Sequence, residues 1–206
     1  MPVGQDLAAV ILSAGASSRM AEFKPLLPLG NSTVIETAIG TFKQAGIPDI
    51  TVVVGHRADD LKAVLDRVDG VRCVTNEKYR EGMFSSVIAG IRSLRSGIKA
   101  VFILPADIPL VRSDTIELIA ETYCRRRPRI FYPTYKKKRG HPPLIPAQLF
   151  PEILSWTGVG GLQSLLERHD AESMEIEVRD EGILLDLDTP EDYESACKAY
   201  GHGGKR

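Results

Sequence analysis

The chain has 206 residues, of which 43% are hydrophobic, and its 26 basic and 27 acidic residues leave a formal net charge of −1. This length and composition are sufficient to bury a substantial core, and they favour a single domain over residues 1–200 followed by a disordered tail at 201–206. The balanced charge excludes a chain-wide field of the kind that attracts nucleic acid or a membrane surface. Any basic site must therefore be local.

The cysteines and the apolar runs indicate the cellular compartment of the protein. Cys73, Cys124 and Cys197 are scattered and no CxxC pair occurs, which argues against a disulfide framework and against a cysteine zinc site. The first apolar stretch is short and has no basic segment before it, so it indicates a buried strand rather than a signal peptide. No run is long enough to span a bilayer. We expect a cytoplasmic protein without a membrane or nucleic-acid partner.

In chain order, apolar runs suited to buried strands alternate with segments of helical period. The predicted strands cover residues 7–12, 50–54, 71–75, 99–104 and 129–133. A capping box at Thr33 and Glu36 begins the first predicted helix, which ends near Gly46, and further helices are predicted at 59–68, 85–94 and 113–126, the last capped by Ser113. This alternation predicts an α/β fold of three layers, with helices on both faces of a mostly parallel sheet.

The alternation is less regular in the last third of the chain. A basic, proline-containing stretch covers residues 135–146, and two short helices are predicted around Leu154 and Leu165. Strands predicted at 173–178 and 183–187 precede a helix that has Thr189 as its N-cap, Pro190 at its first position and Asp192 at its third. The irregular region is a candidate for recognition of an acceptor substrate.

The loop after the first strand contains small residues followed by two cations, Arg19 and Lys24. Small residues let backbone N–H groups approach an anion closely, and two cations can neutralise a triphosphate. Neither a GxGxxG nor a GxxxxGK[ST] pattern is present, so the two commonest nucleotide loops are excluded. By spacing alone, an ordinary turn with surface charges explains the loop as well as a nucleotide site does.

The string LSAGASSRM followed by Lys24 resembles the signature LxAGxSxRM(x)nK of the molybdenum-cofactor nucleotidyltransferase family, especially its cytidylyltransferases. Later segments resemble that family's motifs in the same order. They are NEKYREGMFSSV at 76–87, PADIPLV at 105–111, RGHPPLIP at 139–146, GVGGLQSLL at 158–166 and LDLDTPEDY at 185–193. The ordered set makes the resemblance specific, and it implies a Rossmann-like, GT-A-like nucleotidyltransferase fold.

The resemblance implies an enzyme that transfers CMP from CTP to the phosphate of molybdopterin and releases pyrophosphate. It implies Arg19, Lys24 and Asp107 as catalytic residues, with the two cations binding and polarising the phosphates. The nucleotide-binding residues that it implies are Leu12, Ser13, Ala14, Gly15, Ala16, Ser17, Ser18, Arg19, Lys24, Gly82, Ser85 and Ser86. CTP is favoured over GTP because Ala14 stands where guanylyl-transferring relatives tend to have Gly.

Two aspartates are candidates for holding Mg²⁺, the expected cofactor. Asp107 comes just after the strand predicted at 99–104, where open parallel sheets place their ligands, and Mg²⁺ usually takes one or two carboxylates together with substrate phosphates and water. Asp188 is the natural second ligand, since it also follows an apolar run. Asp186 stays open as the alternative, because it is expected to share a strand face with Asp188. A turn role for Asp107 and a cap role for Asp188 also stay open.

The remaining site candidates have plain structural alternatives. Ser85 and Ser86 follow Gly82 and offer hydroxyls that could read a nucleobase edge, although helix capping explains one of them equally well. Gly140 and His141 are expected to receive the acceptor, whereas the basic residues at 136–138 are more simply explained as a solvated loop.

Four positions depart from the family pattern: Ala21, Ile108, Pro143 and Ile145. They weaken the acceptor assignment but leave the phosphate and metal chemistry intact. The alternatives are therefore GTP as donor, a sugar phosphate or polyol phosphate as acceptor, or a non-catalytic carrier that delivers the molybdenum cofactor to a client molybdoenzyme.

Overall fold

A computed structural model describes residues 4–15, 22–126 and 129–202 of the chain. Ten strands occur within this part. They are β1 (Leu7–Ser13), β2 (Pro28–Leu29), β3 (Ser32–Thr33), β4 (Asp49–Val54), β5 (Val71–Thr75), β6 (Ala100–Pro105), β7 (Ile130–Tyr135), β8 (Lys138–Arg139), β9 (Leu144–Pro146) and β10 (Ser173–Glu177). Eight of them form one sheet, while β2 and β3 form a separate small hairpin.

Helices cover both faces of the sheet. The described residues form α1 (Val34–Gln44), α2 (Ala58–Leu65), α3 (Met83–Arg92), α4 (Ser113–Arg125), α5 (Phe150–Ser155), α6 (Gly161–Glu167) and α7 (Pro190–His202). Helices α1, α2 and α4 share a hydrophobic core with one face of β1, and α3, α5 and α6 share a second core with its other face. The predicted three-layer α/β/α fold is therefore confirmed. None of the helices within the described ranges has the length and apolarity needed to cross a membrane.

The strand order is β5–β4–β1–β6–β9–β7–β10, with β8 attached to β7. β1 pairs in parallel with β4 on one side and with β6 on the other, whereas β9 runs antiparallel to its neighbours β6 and β7. All residues of β1 are buried, because helices cover both of its faces. The sheet is thus mostly parallel, and the gap between the carboxyl ends of β1 and β6 is the point where the strand order reverses.

Local signals in the sequence placed several helix ends correctly. Thr33 and Glu36 form the predicted reciprocal capping box at the start of α1, and Gly46 follows the helix with a φ of 72°. Thr189 and Asp192 exchange the same pair of hydrogen bonds at the start of α7. Two other helices differ in extent from the prediction, since α2 ends at Leu65 and α3 begins at Met83.

The strand predicted at 183–187 is wrong. Residues Glu181–Leu184 form a 3₁₀ turn instead, because the buried Asp180 carboxylate accepts a hydrogen bond of 3.0 Å from the Gly182 amide and so favours a turn over a ladder. Gly182 packs so closely against the carbonyl of Leu110 that a side chain there would overlap it.

Two further predictions need correction, one about the start of a helix and one about the end of the chain. Ser113 is the first residue of α4 and makes no cap; the same Asp180 carboxylate, 68 residues away, accepts from the Arg112 amide at 2.9 Å. The tail predicted to be disordered from residue 201 does not begin there, because α7 continues to His202. Residues 203–206 lie outside the described part of the chain.

Candidate functional site

A cleft of about 390 Å³ opens at the carboxyl edge of the sheet, where β1 and β6 diverge. Five segments contribute to it: the end of β1 with the residues that follow it, the 3₁₀ turn at Lys24, the end of β6 with the residues after it, the start of α3 with the turn before it, and the residue Asp188 ahead of α7. The lining residues are Leu12, Ser13, Ala14, Gly15, Lys24, Pro25, Tyr79, Gly82, Met83, Ser86, Pro105, Ala106, Asp107 and Asp188. This is the position at which open α/β sheets bind their ligands.

The floor of the cleft depends on a close contact between β1 and the loop after β4. The carbonyl of Ala14 accepts a hydrogen bond of 3.1 Å from the amide of His56. A Cβ on Gly55 would lie 2.6 Å from the Cβ of Tyr79 and 2.9 Å from that of Ala14, so only glycine allows these two residues to approach each other here. Ser13 is buried beside them, and its hydroxyl has no hydrogen-bond partner among the described residues.

Lys24 brings a buried positive charge to the cleft. Its side chain is only 7% exposed, and its ammonium Nζ lies 3.0 Å from Oδ1 of Asp188, which is 164 residues later in the chain. Lys24 begins a short 3₁₀ turn that Pro25 preorganises at its first positions. A buried cation requires a charged or strongly polar partner, and Asp188 supplies one in the structure as it stands.

Asp107 lies two residues beyond β6 and faces the same charges. Burial raises the pKa of its carboxyl above the ordinary value; the nearby Lys24 and a backbone N–H oppose that rise, while Asp188 and Asp186 add to it. The carbonyl of Asp107 also accepts a hydrogen bond of 2.8 Å from the amide of Leu187. This bond places Asp188, the next residue, at the cleft.

The geometry distinguishes between the two candidate second aspartates. Asp188 lines the cleft and contacts Lys24, whereas Asp186 is exposed and does not belong to the lining. The two were expected to share the face of a strand, but no strand forms there. Among the described residues, no three His, Cys, Asp or Glu side chains converge on one point. Two carboxylates still suit a hard cation that takes its other oxygens from phosphates and water.

The two serines of α3 differ in their surroundings. Ser86 is 3% exposed and lines the cleft, whereas Ser85 lies outside the lining. Both hydroxyls accept hydrogen bonds from the side-chain amide of Asn76, at 2.8 Å to Ser85 and 2.9 Å to Ser86. Ser85 also donates to the carbonyl of Gly82 at 2.8 Å, which agrees with the alternative that one serine serves the end of the helix.

The expected acceptor residues lie apart from this cleft. Neither Gly140 nor His141 lines it. A Cβ on Gly140 would lie 2.5 Å from the carbonyl oxygen of Ile183, and the amide of His141 donates to that oxygen at 2.9 Å. Gly140 therefore serves a tight contact between chain segments, and the structure offers no separate support for an acceptor role of these two residues.

Four predicted nucleotide-binding residues, Ala16, Ser17, Ser18 and Arg19, lie outside the described residues. Sequence reasoning also missed Pro25, Pro105 and Ala106 in the lining. It further missed three residues of one segment: Tyr79 and Met83, which line the cleft, and Asn76, which donates a hydrogen bond to Ser86. All three fall inside the string NEKYREGMFSSV that carried part of the resemblance. The string was a usable signal, but which of its side chains turn towards the cleft depends on the bend at Gly82, whose φ is 104°.

A mostly parallel sheet covered on both faces, with a charged cleft at its switch point, defines this protein as a three-layer α/β protein with a candidate ligand site at the carboxyl ends of its strands. Residues 9–173 match the family described as the MobA-like NTP transferase domain, and the chain belongs to that family. The resemblance seen in the sequence is thereby confirmed, and the protein is an enzyme of the nucleotidyltransferase class.

Two enzymes of known activity and one solved structure are similar to this chain. The chain is 27% identical over 191 residues to a molybdenum cofactor cytidylyltransferase of Escherichia coli, which covers 93% of this chain and 95% of that one. A 2-aminoethylphosphonate cytidylyltransferase of Lancefieldella rimae is 37% identical over 112 residues, or 52% of this chain and 44% of its own. Among solved structures, a nucleotidyl transferase of Methanothermobacter thermautotrophicus superposes with a TM-score of 0.82 at 24% identity, covering 97% of this chain and 99% of that one.

Proposed function

We propose that this protein transfers CMP from CTP to the phosphate of a molybdopterin-type acceptor in a Mg²⁺-dependent reaction. The observation that carries the proposal is the placement of Lys24, Asp107 and Asp188 in one cleft beside the loop that follows β1. An oxygen of the acceptor phosphate attacks the α-phosphorus of CTP, the bond from that phosphorus to the bridging oxygen breaks, and pyrophosphate leaves with the bond's electrons. The reaction therefore brings two anionic groups together, so charge neutralisation and positioning dominate it.

The chain's own residues meet these requirements in distinct ways. The Lys24 ammonium supplies positive charge where the phosphates lie, and the small residues from Ala14 onward leave room for backbone N–H groups to approach them. Asp107 and Asp188 would hold Mg²⁺, which supplies charge neutralisation of the phosphates when it is bound. The Lys24–Asp188 pair keeps both side chains oriented before the substrate arrives.

Two observations favour CTP as the donor. Both cytidylyltransferases described above transfer cytidylyl groups, as their names state. Ala14, a buried residue of the lining, also stands where guanylyl-transferring members of the resembled family tend to have Gly, which favours CTP. The acceptor assignment depends on the E. coli relative alone, since Gly140 and His141 do not line the cleft.

The test is pyrophosphate release by the purified protein with CTP, GTP, UTP and ATP, each with molybdopterin, with a sugar phosphate, or without acceptor. We expect release only with CTP, molybdopterin and Mg²⁺ together, and loss of release with EDTA. Asp107→Asn should abolish it, whereas Asp59→Asn, at a side chain that is 99% exposed, should not. Release with a nucleotide and the sugar phosphate, but not with molybdopterin, would reject molybdopterin as the acceptor. No release with any combination would reject catalysis and favour a non-catalytic carrier.

A substitution at Ala14 tests the preference for CTP over GTP as the donor. Ala14→Gly should lower the preference for CTP over GTP by about tenfold, because one methyl group in a binding site is worth roughly that much discrimination. Competition between the two nucleotides, with the cytosine and guanine products separated by chromatography, measures the ratio. An unchanged ratio would show that Ala14 does not select the base.

A further inference from the structure

The hydrogen-bond network around Asn76 determines in which direction the Ser86 hydroxyl points its proton. Asn76 is buried at 5% exposure directly after β5, and its amide donates to the carbonyl of Val54 at the end of β4. Its side chain lies between that strand end and the first turn of α3. It is therefore held by the sheet on one side and contacts the lining of the cleft on the other.

The orientation of the Asn76 side-chain amide follows from its surroundings. The backbone N–H of Lys78 points at one of its two polar atoms from 3.0 Å, and because an N–H can only donate, that atom must be the oxygen Oδ1. The atom that faces Ser85 and Ser86 is therefore Nδ2. Its two hydrogens are used by the two serine hydroxyls, which must accept them.

The two serines then differ in where their own protons go. Ser85 donates to backbone carbonyls, with Lys78 at 2.9 Å and Gly82 at 2.8 Å. Ser86 sits one residue later, and among the described residues its hydroxyl donates to no carbonyl of the preceding helical turn. Within the described part of the chain, Asn76 is the hydrogen-bond partner of Ser86 Oγ. Because Ser86 lines the cleft, its proton is available for donation to a ligand there.

We infer that Asn76 is a positioning residue that makes Ser86 a hydrogen-bond donor to the nucleobase and thereby selects a base presenting an acceptor atom at that place. This inference rests on the proposed function, because it assumes that a nucleotide occupies the cleft. Cytosine presents the bare ring nitrogen N3 on its pairing edge. Uracil and guanine present a ring N–H there. Because the Ser86 hydroxyl and this N–H would both be donors, they could not form a hydrogen bond.

An isosteric change reverses the network. In Asn76→Asp, the oxygen that faces Lys78 still accepts from its amide, but the second oxygen can only accept. Ser86 must then donate to the carboxylate and present lone pairs to the cleft. The variant should lower the ratio of CTP affinity to UTP affinity by about tenfold or more, since a donor has been exchanged for an acceptor. If Asn76 had a purely structural role, the variant would weaken the binding of CTP and UTP equally and leave the ratio of their affinities unchanged.

The experiment measures dissociation constants for CTP, UTP and GTP with Mg²⁺ by calorimetry at pH 8, for the wild type, Asn76→Asp, Ser86→Ala and Asn31→Asp. The last variant adds the same charge at an exposed residue outside the cleft and should leave the ratio unchanged. Ser86→Ala removes the donor without adding charge and should also reduce the ratio, and an unchanged ratio there overturns the inference even if Asn76→Asp does not fold.

The outcomes separate the inference from the function on which it rests. A reduced CTP-to-UTP ratio in the folded Asn76→Asp and Ser86→Ala variants supports it. An unchanged ratio in either folded variant, or a wild type that prefers UTP or GTP, overturns it while nucleotide transfer stands. A wild type that binds none of the three nucleotides overturns the proposed function, and the inference with it.

Discussion

At the scale of single residues, the charge arrangement around Lys24 is the most informative feature of the molecule. A buried ammonium group is costly unless it is paired, and here its partner Asp188 comes from a segment 164 residues away. The pair therefore links the first loop of the fold to the start of its last helix. Under the proposed function, a triphosphate would give the lysine further anionic partners, and burial of its side chain at 7% exposure would strengthen their attraction.

Replacing Lys24 tests that contribution. Lys24→Met keeps the length of the side chain and removes its charge, and it should lower kcat by about 10²- to 10³-fold, as loss of one preorganised stabilising group does. Lys24→Arg keeps the charge and should retain more activity than the methionine variant. Steady-state pyrophosphate release measures both, with Lys62→Met, at a half-exposed lysine outside the cleft, as the control. A kcat of the methionine variant within threefold of the wild-type value would contradict a catalytic role of the Lys24 charge.

At the scale of elements, helix α3 owes its position to a glycine. A Cβ on Gly90 would overlap a methyl carbon of Val10 in β1, so the helix lies directly on the central strand only because that position has no side chain. Ser86 is one turn earlier on the same helix and faces the cleft. The close approach of α3 to the sheet therefore sets the depth of the cleft as well as the packing of the second core.

The same substitution in two helices should have opposite effects. Gly90→Ala forces α3 away from β1 and should destabilise the fold by about 1–3 kcal/mol, as overpacking does, and it should also weaken CTP binding. Gly40→Ala lies inside α1 where the added methyl group meets open space, and it should stabilise the fold by about 0.5–1 kcal/mol. Urea unfolding measures both free energies. Equal effects of the two changes would show that contact with Val10 does not position α3.

At the scale of the whole molecule, the segment around His141 joins the last third of the chain to the sheet. Its amide binds the carbonyl of Ile183, and the neighbouring Pro143 carbonyl accepts from the amide of Ile103 in β6 at 3.2 Å. Burial lowers the pKa of the His141 imidazole below its ordinary value of 6.5, opposed by the backbone of Ile103 and by the charge of Asp186. The folded state thus favours a neutral imidazole at a junction between distant segments.

This burial predicts a pH dependence of stability. The unfolded chain binds a proton at His141 near pH 6.5 while the folded chain resists it, so the contribution is present above that pH and is lost as the pH falls below it. His141→Gln removes the titration, and the free energy of unfolding should then fall less steeply between pH 7 and pH 5 than in the wild type. Urea unfolding across that range provides the comparison. Parallel curves would show that His141 does not contribute.

Much of the fold was predictable because its signals are local. The apolar strand at 7–12, the capping boxes at Thr33 and Thr189 and the terminating Gly46 all depend on residues within a few positions of one another. The segment at 183–187 was misjudged because its apolar residues suit a strand, while its turn is imposed by Asp180 and by the close approach of Leu110. Ser113 was misjudged for a related reason, since the carboxylate at the start of α4 comes from the same distant aspartate.

The sequence by itself determined the layered α/β architecture, the placement of a charged loop after β1 and an aspartate after β6, and membership in a nucleotidyltransferase family. These properties follow from periodicity and from ordered motifs, which are written along the chain. Only the tertiary structure placed Asp188 in the lining of the cleft and left Asp186 outside it, joined Asn76 to the two serines and separated Gly140 and His141 from the cleft. Each of these depends on which side chains meet when distant segments pack, and spacing along the chain does not encode that contact.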